Sequence, residues 1–359
     1  MEAGVQVFDA REGLLIRLST LTDGGQPAEQ TAQALADFVA AAQHTLEVAI
    51  YDFHLPDDLA RIVEGALAAA AKRGVAVRLA YNVDHGKKVP VPPPPGTKPE
   101  LVEALPFLTA PIPGVPDLMH HKYVIRDQAS VWTGSTNWTH DSWTREENVI
   151  VTVDSAELAA RYGADFEQLW TRRDVLHSGK VDTTPLSVDG TAVRAWFCPG
   201  RGDRLAHRIA KAIGTATRRI RIASPVISSG PILGTLAQVV SDGKVDLAGV
   251  VDQTQVHEVL RQWEANGNVS WKEPLLRTTL TKAPFSGKRS TPYGPGTVHD
   301  FMHAKVTVAD DIAFVGSFNL SHSGELNAEN VLEIADAGLA ERLAAFVDQV
   351  RGKYPPVEL

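Results

Sequence analysis

The chain has 359 residues, 44% hydrophobic and 22% charged, the profile of a soluble globular protein long enough for two domains. Its 35 basic residues against 43 acidic ones leave a formal charge of -8, the reverse of what non-specific nucleic-acid binding requires, though a local basic groove stays open. The lone cysteine, Cys198, excludes an internal disulfide framework; no apolar run reaches the roughly 18 residues of a membrane span, and residues 1–11 show no apolar signal core, so a cytoplasmic address is expected.

In chain order, Leu35, Phe38, Val39 and Ala42 predict a helix over residues 30–42, and Leu46, Val48 and Ile50 alternate into a strand. Asp57 and Asp58 open a second helix with Leu59, Ile62, Val63, Ala66, Leu67 and Ala70 on its apolar face; Gly74 is placed to stop it. Val75, Val77 and Leu79 form the next strand, at βαβ spacing. Periodicity then fails from His85 to Pro116, a stretch that includes the run Val-Pro-Val-Pro-Pro-Pro-Pro at 89–95 and reads as a stiff loop. Strands follow at 119–126, 131–133 and 148–153, then a helix over 155–170.

The second half repeats this order. A helix carries Leu205, Ile209 and Ile213, and strands carry Ile220, Ile222 and residues 247–251; a helix follows with Val256, Val259, Leu260 and Trp263. Residues 272–297 read as a second irregular stretch, before strands at 301–309, 312–315 and 331–334 and a helix over 339–350. Residues 172–190, rich in Asp, Ser, Thr and Gly, read as a linker. The expected architecture is α/β: two similar lobes, 1–175 and 188–359, each a mixed sheet flanked by helices, related by pseudo-two-fold symmetry.

The repeat is most visible in two short stretches. One runs His120-His121-Lys122 to Asp127 and then Gly134-Ser135-Thr136-Asn137; the other runs His303-Ala304-Lys305 to Asp310 and then Gly316-Ser317-Phe318-Asn319. An acid–amide pair follows each, Glu147-Asn148 and Glu329-Asn330. On a strand, the period of two sets His120 beside Lys122 and His303 beside Lys305, so that each face carries a titratable imidazole next to a fixed positive charge. A phosphodiester anion calls for both: lysine neutralises its non-bridging oxygens, and imidazole serves as nucleophile or as acid near neutral pH. Ser and Asn beyond a glycine turn add neutral donors. A carboxylate such as Glu147 or Glu329 is suited to fix the histidine tautomer. Asp127 and Asp310 sit at strand turns, where capping explains them without chemistry.

These stretches resemble the two HKD motifs of the phospholipase D superfamily, and the repeat is similar to its bilobal members over nearly the whole chain. The resemblance implies a pocket between two α/β lobes, histidine attack on phosphorus, and transfer to water or a second alcohol without metal or other cofactor. It implies His120 as nucleophile and His303 as the acid that protonates the leaving group, although near-symmetry leaves their order open. Lys122, Lys305, Asn137 and Asn319, with Ser135 and Ser317, match phosphate ligands; Glu147 and Glu329 match the acids that orient the histidines; Gly134 and Gly316, like Asp127 and Asp310, belong to the motif frame. With both motifs in one chain, a monomer suffices. The expected substrate is a phospholipid phosphodiester, ahead of a nucleic acid, with a non-catalytic scaffold far behind.

Other candidates have plainer readings. His121 alternates to the opposite face and is expected to pack against a helix; His140 and His322 fall in equivalent loops, at a pocket rim or in solvent. His54, His299 and His322 lack metal-ligand spacing. Trp132, Trp138, Trp143 and Phe318 are expected in the core, with a wall for a lipid or base as the alternative. Arg218, Arg219 and Arg221 open a strand rather than form a nucleic-acid patch, and Cys198 is expected to be structural.

Overall fold

The computed structural model describes residues 15–83, 97–292 and 297–359; the proline run at 89–95 lies outside them. The first lobe consists of β1 (Ile16–Leu21), α1 (Ala28–Ala40), β2 (Thr45–Ile50), β3 (Phe53–His54), α2 (Asp57–Lys72), β4 (Ala76–Val83), α3 (Pro99–Glu103), β5 (Leu108–Pro113), β6 (Lys122–Arg126), β7 (Ser130–Gly134), β8 (Trp138–Thr139), α4 (His140–Thr144), β9 (Asn148–Asp154) and α5 (Ala156–Arg172). The second consists of β10 (Leu186–Val188), β11 (Thr191–Phe197), α6 (Gly202–Thr215), β12 (Arg219–Ala223), α7 (Gly230–Asp242), β13 (Asp246–Asp252), α8 (Gln253–Ala265), a 3-10 turn at Ser270–Lys272, α9 (Glu273–Lys282), β14 (Phe285–Lys288), β15 (Val306–Ala309), β16 (Ile312–Gly316), α10 (His322–Leu326), β17 (Asn330–Ala335) and α11 (Ala337–Lys353).

The two sheets have one topology. The first runs β1-β9-β7-β6-β2-β4-β5; the second runs β11-β17-β16-β15-β12-β13-β14, with β10 added at its edge. In each, the last three strands are parallel and the others antiparallel. Strand alternation then dictates the layers. Leu46, Val48 and Ile50 on one face of β2 pack with α1 and α2, while Ala49 on the other face joins the α5 side chains Leu158, Tyr162 and Phe166. That second core also contains Leu343 and Val347 of α11 and Val306, Val308 and Leu332 of the second sheet. The sheets therefore face each other across α5 and α11, with α1 and α2 outside one and α6, α7 and α9 outside the other.

Several expectations need correcting. The first irregular stretch contains α3 and β5, an edge strand paired with β4, and the second contains α9 and β14. Pro111 and Pro113 hide β5 from a pattern reading, because proline tolerates an edge strand but not an interior one. The segment read as a linker is packed: Val175, Ser178, Val181 and Val188 are buried and β10 pairs with β11. The motif strands begin late, at Lys122 and Val306, so both histidines stand just ahead of the sheet. Among the described residues no helix is long and apolar enough to cross a membrane.

Candidate active site

Each motif is a hairpin held at both ends. Asp127, at φ 53°, accepts backbone N–H groups from Gln43, His44 and Thr45 at 2.6–3.1 Å, and Asp310, at φ 52°, accepts those of Thr217, Arg218 and Arg219 at 2.9–3.0 Å. These carboxylates tie the β6–β7 and β15–β16 turns to the starts of β2 and β12, far from the histidines. At the other end, a Cβ on Gly134 would sit 2.0 Å from the Val149 carbonyl and one on Gly316 2.1 Å from that of Asn330, so only glycine lets the next residues turn towards the pocket.

The histidines are oriented across the lobes. His120 leaves its own sheet and its N–H donates to the Ala328 carbonyl at 2.9 Å, beside a parallel bridge between Met119 and Ala328; Met302 and Glu147 form the matching bridge. His120 Nδ1 then lies 2.9 Å from Glu329 Oε2. His303 Nδ1 lies 3.0 Å from Asn148 Oδ1 and 3.2 Å from Glu146 Oε2. With Nδ1 occupied by an acceptor, the proton sits there and Nε2 keeps a free lone pair. Each imidazole is thereby aimed by the opposite half of the chain.

Burial controls the charges. It pushes His120 down to about 4 against the pull of Glu329, and His303 well below its usual value, where Lys305, Lys122 and His120 add repulsion. Burial also lowers Lys122 to about 7 and Lys305 well below the lysine range, with Lys122 repelling Lys305. Lys122 Nζ donates to the His120 carbonyl at 2.7 Å and lies 4.9 Å from the Tyr51 ring centre; Lys305 donates to the His303 carbonyl. The orienting acids diverge. Burial would raise Glu329, yet the His120 and Lys122 charges hold it below the usual value, whereas burial raises Glu146 despite Asn148 and Lys305. A site holding two buried lysines and two neutral imidazoles gains its missing negative charge when a phosphodiester anion enters.

Glu147, expected with Glu329 among the acids that orient the histidines, has its hydrogen bonds elsewhere. Gly134 pairs with Ile150 but Gly316 with Val331, so the first copy carries one additional residue between Gly134 and β9. That places Glu147 opposite Ala328, and Asn148 opposite Glu329. Glu147 is fully buried elsewhere, 3.0 Å from Lys288 Nζ and bonded to the Tyr354 hydroxyl. The serines have protein partners: Ser135 donates its hydroxyl to Asn148 Oδ1 at 2.7 Å, and Ser317 Oγ accepts the N–H of Asn330, the residue after Glu329, at 3.0 Å. Asn137 and Asn319 are different, since Oδ1 of each is buried without a partner among the described residues. Sequence reasoning named Asn148 without a role and missed Glu146 and Asn327, the last donating to Glu329 Oε1 at 3.2 Å. The neighbouring Glu146 and Glu147 were the available signal.

A family model described as "Cardiolipin synthase, PLD-like domain" matches residues 35–170 and 209–351, most of both lobes. The chain belongs to the phospholipase D-like family. A mitochondrial cardiolipin hydrolase of Xenopus laevis is 32% identical over 138 residues, 37% of this chain and 58% of that protein, so the chain spans little more than half the length of this curated relative. Among solved structures, a phosphatidylserine synthase of Haemophilus influenzae superposes with a TM-score of 0.66 at 13% identity, over 96% of this chain and 87% of that one. A polyphosphate kinase from Porphyromonas gingivalis gives 0.58 at 11% identity, over 94% and 47%. At such identities the likeness is one of fold.

The remaining candidates of this phospholipase D-like chain fall outside the histidine pocket. His121 is fully buried against α5, its Nε2 3.0 Å from Asp165 and its Nδ1 3.2 Å from Asn330 Oδ1, which ties it across the lobes. Trp132, Trp138, Trp143 and Phe318 lie in the cores. Arg218 pairs with Asp311, Arg219 with Glu341, and Arg221 with Asp246 and Asp348, so the run presents no free basic face. Cys198 is buried, and burial raises its thiol well above the ordinary value. His322 is exposed beside Glu325, while His140 lines a cavity of about 660 Å³ with His54, Asp58, Asp141 and His299.

Proposed function

We propose that this chain cleaves a phospholipid phosphodiester through a covalent phosphohistidine. His120 attacks phosphorus through Nε2, and its Nδ1–H is held by Glu329, whose carboxylate stabilises the imidazolium character that develops. The pentacoordinate phosphorus then expels the alcohol oxygen, which takes a proton from His303 Nε2. In the second step neutral His303 removes a proton from water or an acceptor alcohol, which attacks the phosphohistidine and releases His120. Lys122, Lys305, Asn137 and Asn319 carry the non-bridging oxygens as charge builds on them.

The observation that carries this reading is the unequal support of two otherwise equivalent imidazoles. His120 rests on a carboxylate alone, whereas His303 shares its Nδ1 between an amide and Glu146, whose burial favours retention of a proton. A phosphate anion recruits one proton to the His303 side, which makes that side the acid and leaves His120 neutral. The acidic net charge and the ion-paired arginines favour a lipid over a nucleic acid.

The test is a single turnover of bis(p-nitrophenyl) phosphate quenched in acid, followed by mass spectrometry of the peptides around residues 120 and 303, with a short-chain phospholipid and single-stranded DNA assayed in parallel. An adduct on His120 and release of phosphatidic acid are expected. An adduct on His303 reverses the roles, and DNA cleavage without lipid cleavage removes the phospholipid reading.

A further inference from the structure

Tyr51 and Asp52 follow directly on β2. Ile50, the last residue of that strand, pairs with Lys122, and the Tyr51 N–H donates to the His121 carbonyl at 2.8 Å, so the register of the sheet carries the Tyr51 ring to the first motif. There it touches both motif side chains. The Lys122 ammonium stands over its face, 4.9 Å from the ring centre, and the His120 imidazole lies 4.7 Å away at an angle of 61°. Asp52 is buried beside it, with its carboxylate 3.0 Å from His54 Nδ1, and its charge favours the protonated form of Lys122.

The pseudo-two-fold repeats neither residue. Ala223 pairs with Val306 across β12 and β15, one position short of where Ile50 pairs with Lys122, so Tyr51 corresponds to Pro225 and Asp52 to Val226. Pro225 and Val226 offer Lys305 neither an aromatic face nor a charge. The other charged neighbours are shared. Glu329 and Glu146 attract both lysines, Lys122 repels Lys305, and both lysines disfavour a charge on His120 and on His303. Two buried ammonium groups compete for the same carboxylates, and only Lys122 has support of its own.

We propose that Tyr51 and Asp52 are positioning residues that make Lys122 the resident cation of the free enzyme, leaving the proton that accompanies an entering anion to the His303 side. This rests on the phosphodiesterase reading above and adds to it which lysine is charged before substrate binds. A ring face stabilises an ammonium through its quadrupole, most strongly where water is excluded, and Lys122 is 2% exposed. The ring carries no net charge, so it favours the cation without repelling the phosphodiester as a further carboxylate in contact would. Asp52 acts through space, its carboxylate engaged by His54. The same ring packs on His120, so one side chain sets the imidazole and the cation beside it.

The experiment follows p-nitrophenolate release from bis(p-nitrophenyl) phosphate by the full chain and its Tyr51→Phe, Tyr51→Leu and Asp52→Asn variants. The readout is the alkaline limb of kcat/KM, whose position does not depend on the fraction of folded protein. Tyr51→Phe keeps the ring and should leave the limb in place. Tyr51→Leu loses the face, which favours the neutral amine and should move the limb down by about one pH unit, the size of a desolvated cation–π contact. Asp52→Asn keeps an acceptor for His54 and should move it in the same direction by less. In a Lys122→Arg background Tyr51→Leu should leave the limb where arginine puts it, since guanidinium does not titrate there. A limb that Tyr51→Leu leaves in place, even with lower turnover, reduces the ring to packing for His120 and overturns the proposal. A limb that moves as far in Tyr51→Phe, or still moves in the Lys122→Arg background, overturns it too. Should Tyr51→Leu not fold, Asp52→Asn decides, and an unmoved limb there counts equally against it. No p-nitrophenolate from the wild-type chain at any pH removes the phosphodiesterase reading beneath it.

Discussion

Glu329→Gln and Glu146→Gln remove the same charge from equivalent sides of one pocket, and the structure predicts unequal consequences. At position 329 the carboxylate accepts from His120 Nδ1, at 2.9 Å. A glutamine there either turns its oxygen to Nδ1–H, losing a charge-assisted bond worth about 1.5–3 kcal/mol, or turns its NH2 group and selects the tautomer with the proton on Nε2. The second outcome blocks attack, and wrong-tautomer defects of this kind cost on the order of 10⁴ in kcat. The expected loss for Glu329→Gln is therefore about 10³–10⁴. At position 146 the Asn148 oxygen still accepts from His303 at 3.0 Å, so the tautomer survives. Only the charge-assisted component goes, which amounts to about 10–100-fold at 1.4 kcal/mol per decade. That loss should shrink further in the first step with p-nitrophenolate, which needs no acid. Stopped-flow p-nitrophenolate release under single-turnover conditions separates the two variants. Equal losses, or a larger loss for Glu146→Gln, refute the reasoning.

The charges predict a pH profile and Glu147 predicts a stability effect. Attack needs neutral His120, so kcat/KM should rise as pH climbs through about 4; holding the anion needs protonated Lys122, so it should fall as pH climbs past about 7. Lys122→Arg keeps its charge and should carry the alkaline limb beyond about pH 9, and a limb that stays in place belongs to another group. Glu147→Gln should act on folding rather than chemistry: Lys288 keeps Asp23 at 3.2 Å and the Arg145 carbonyl at 2.7 Å, so the cost in urea unfolding should be about 2–3 kcal/mol, below the 3–5 of a fully orphaned buried charge, with kcat of the folded enzyme within a few-fold of wild type.

What the sequence revealed follows from which signals are local. Residues such as Leu46, Val48 and Ile50 alternate because each sheet face is covered by a different layer of helices, so β2, β4 and β9 were legible. Edge strands obey weaker rules: β5 admits Pro111 and Pro113 because its outer N–H positions need no partner, and β14 admits Gly287. Both therefore passed for loop. The packed segment at 172–190 was hidden for another reason, since Val175 and Val181 are buried by the central core, a tertiary circumstance with no period of its own.

The site was legible as a set of residue types and misread in register. Aligning Glu147 with Glu329 treats the repeats as equal in length between the glycine turn and the next strand, and they differ there by one residue. Restoring the register exposes an exchange: Glu146 stands opposite Asn327 and Asn148 opposite Glu329, so each lobe keeps one acid and one amide in reversed order. The amide bonds its acid in both, Asn148 Nδ2 to Glu146 at 3.1 Å and Asn327 Nδ2 to Glu329 at 3.2 Å. Because the first position of each pair is the more distant from the strand, the exchange changes which side chain meets the histidine from the other lobe. His120 meets a carboxylate and His303 meets an amide with a carboxylate behind it. In the mechanism proposed above, a duplicated scaffold would otherwise present two interchangeable imidazoles to one phosphorus, each as ready to attack as to donate. The reversed pair removes that degeneracy, and it does so only if both lobes are present, since neither contains the residue that aims its own histidine.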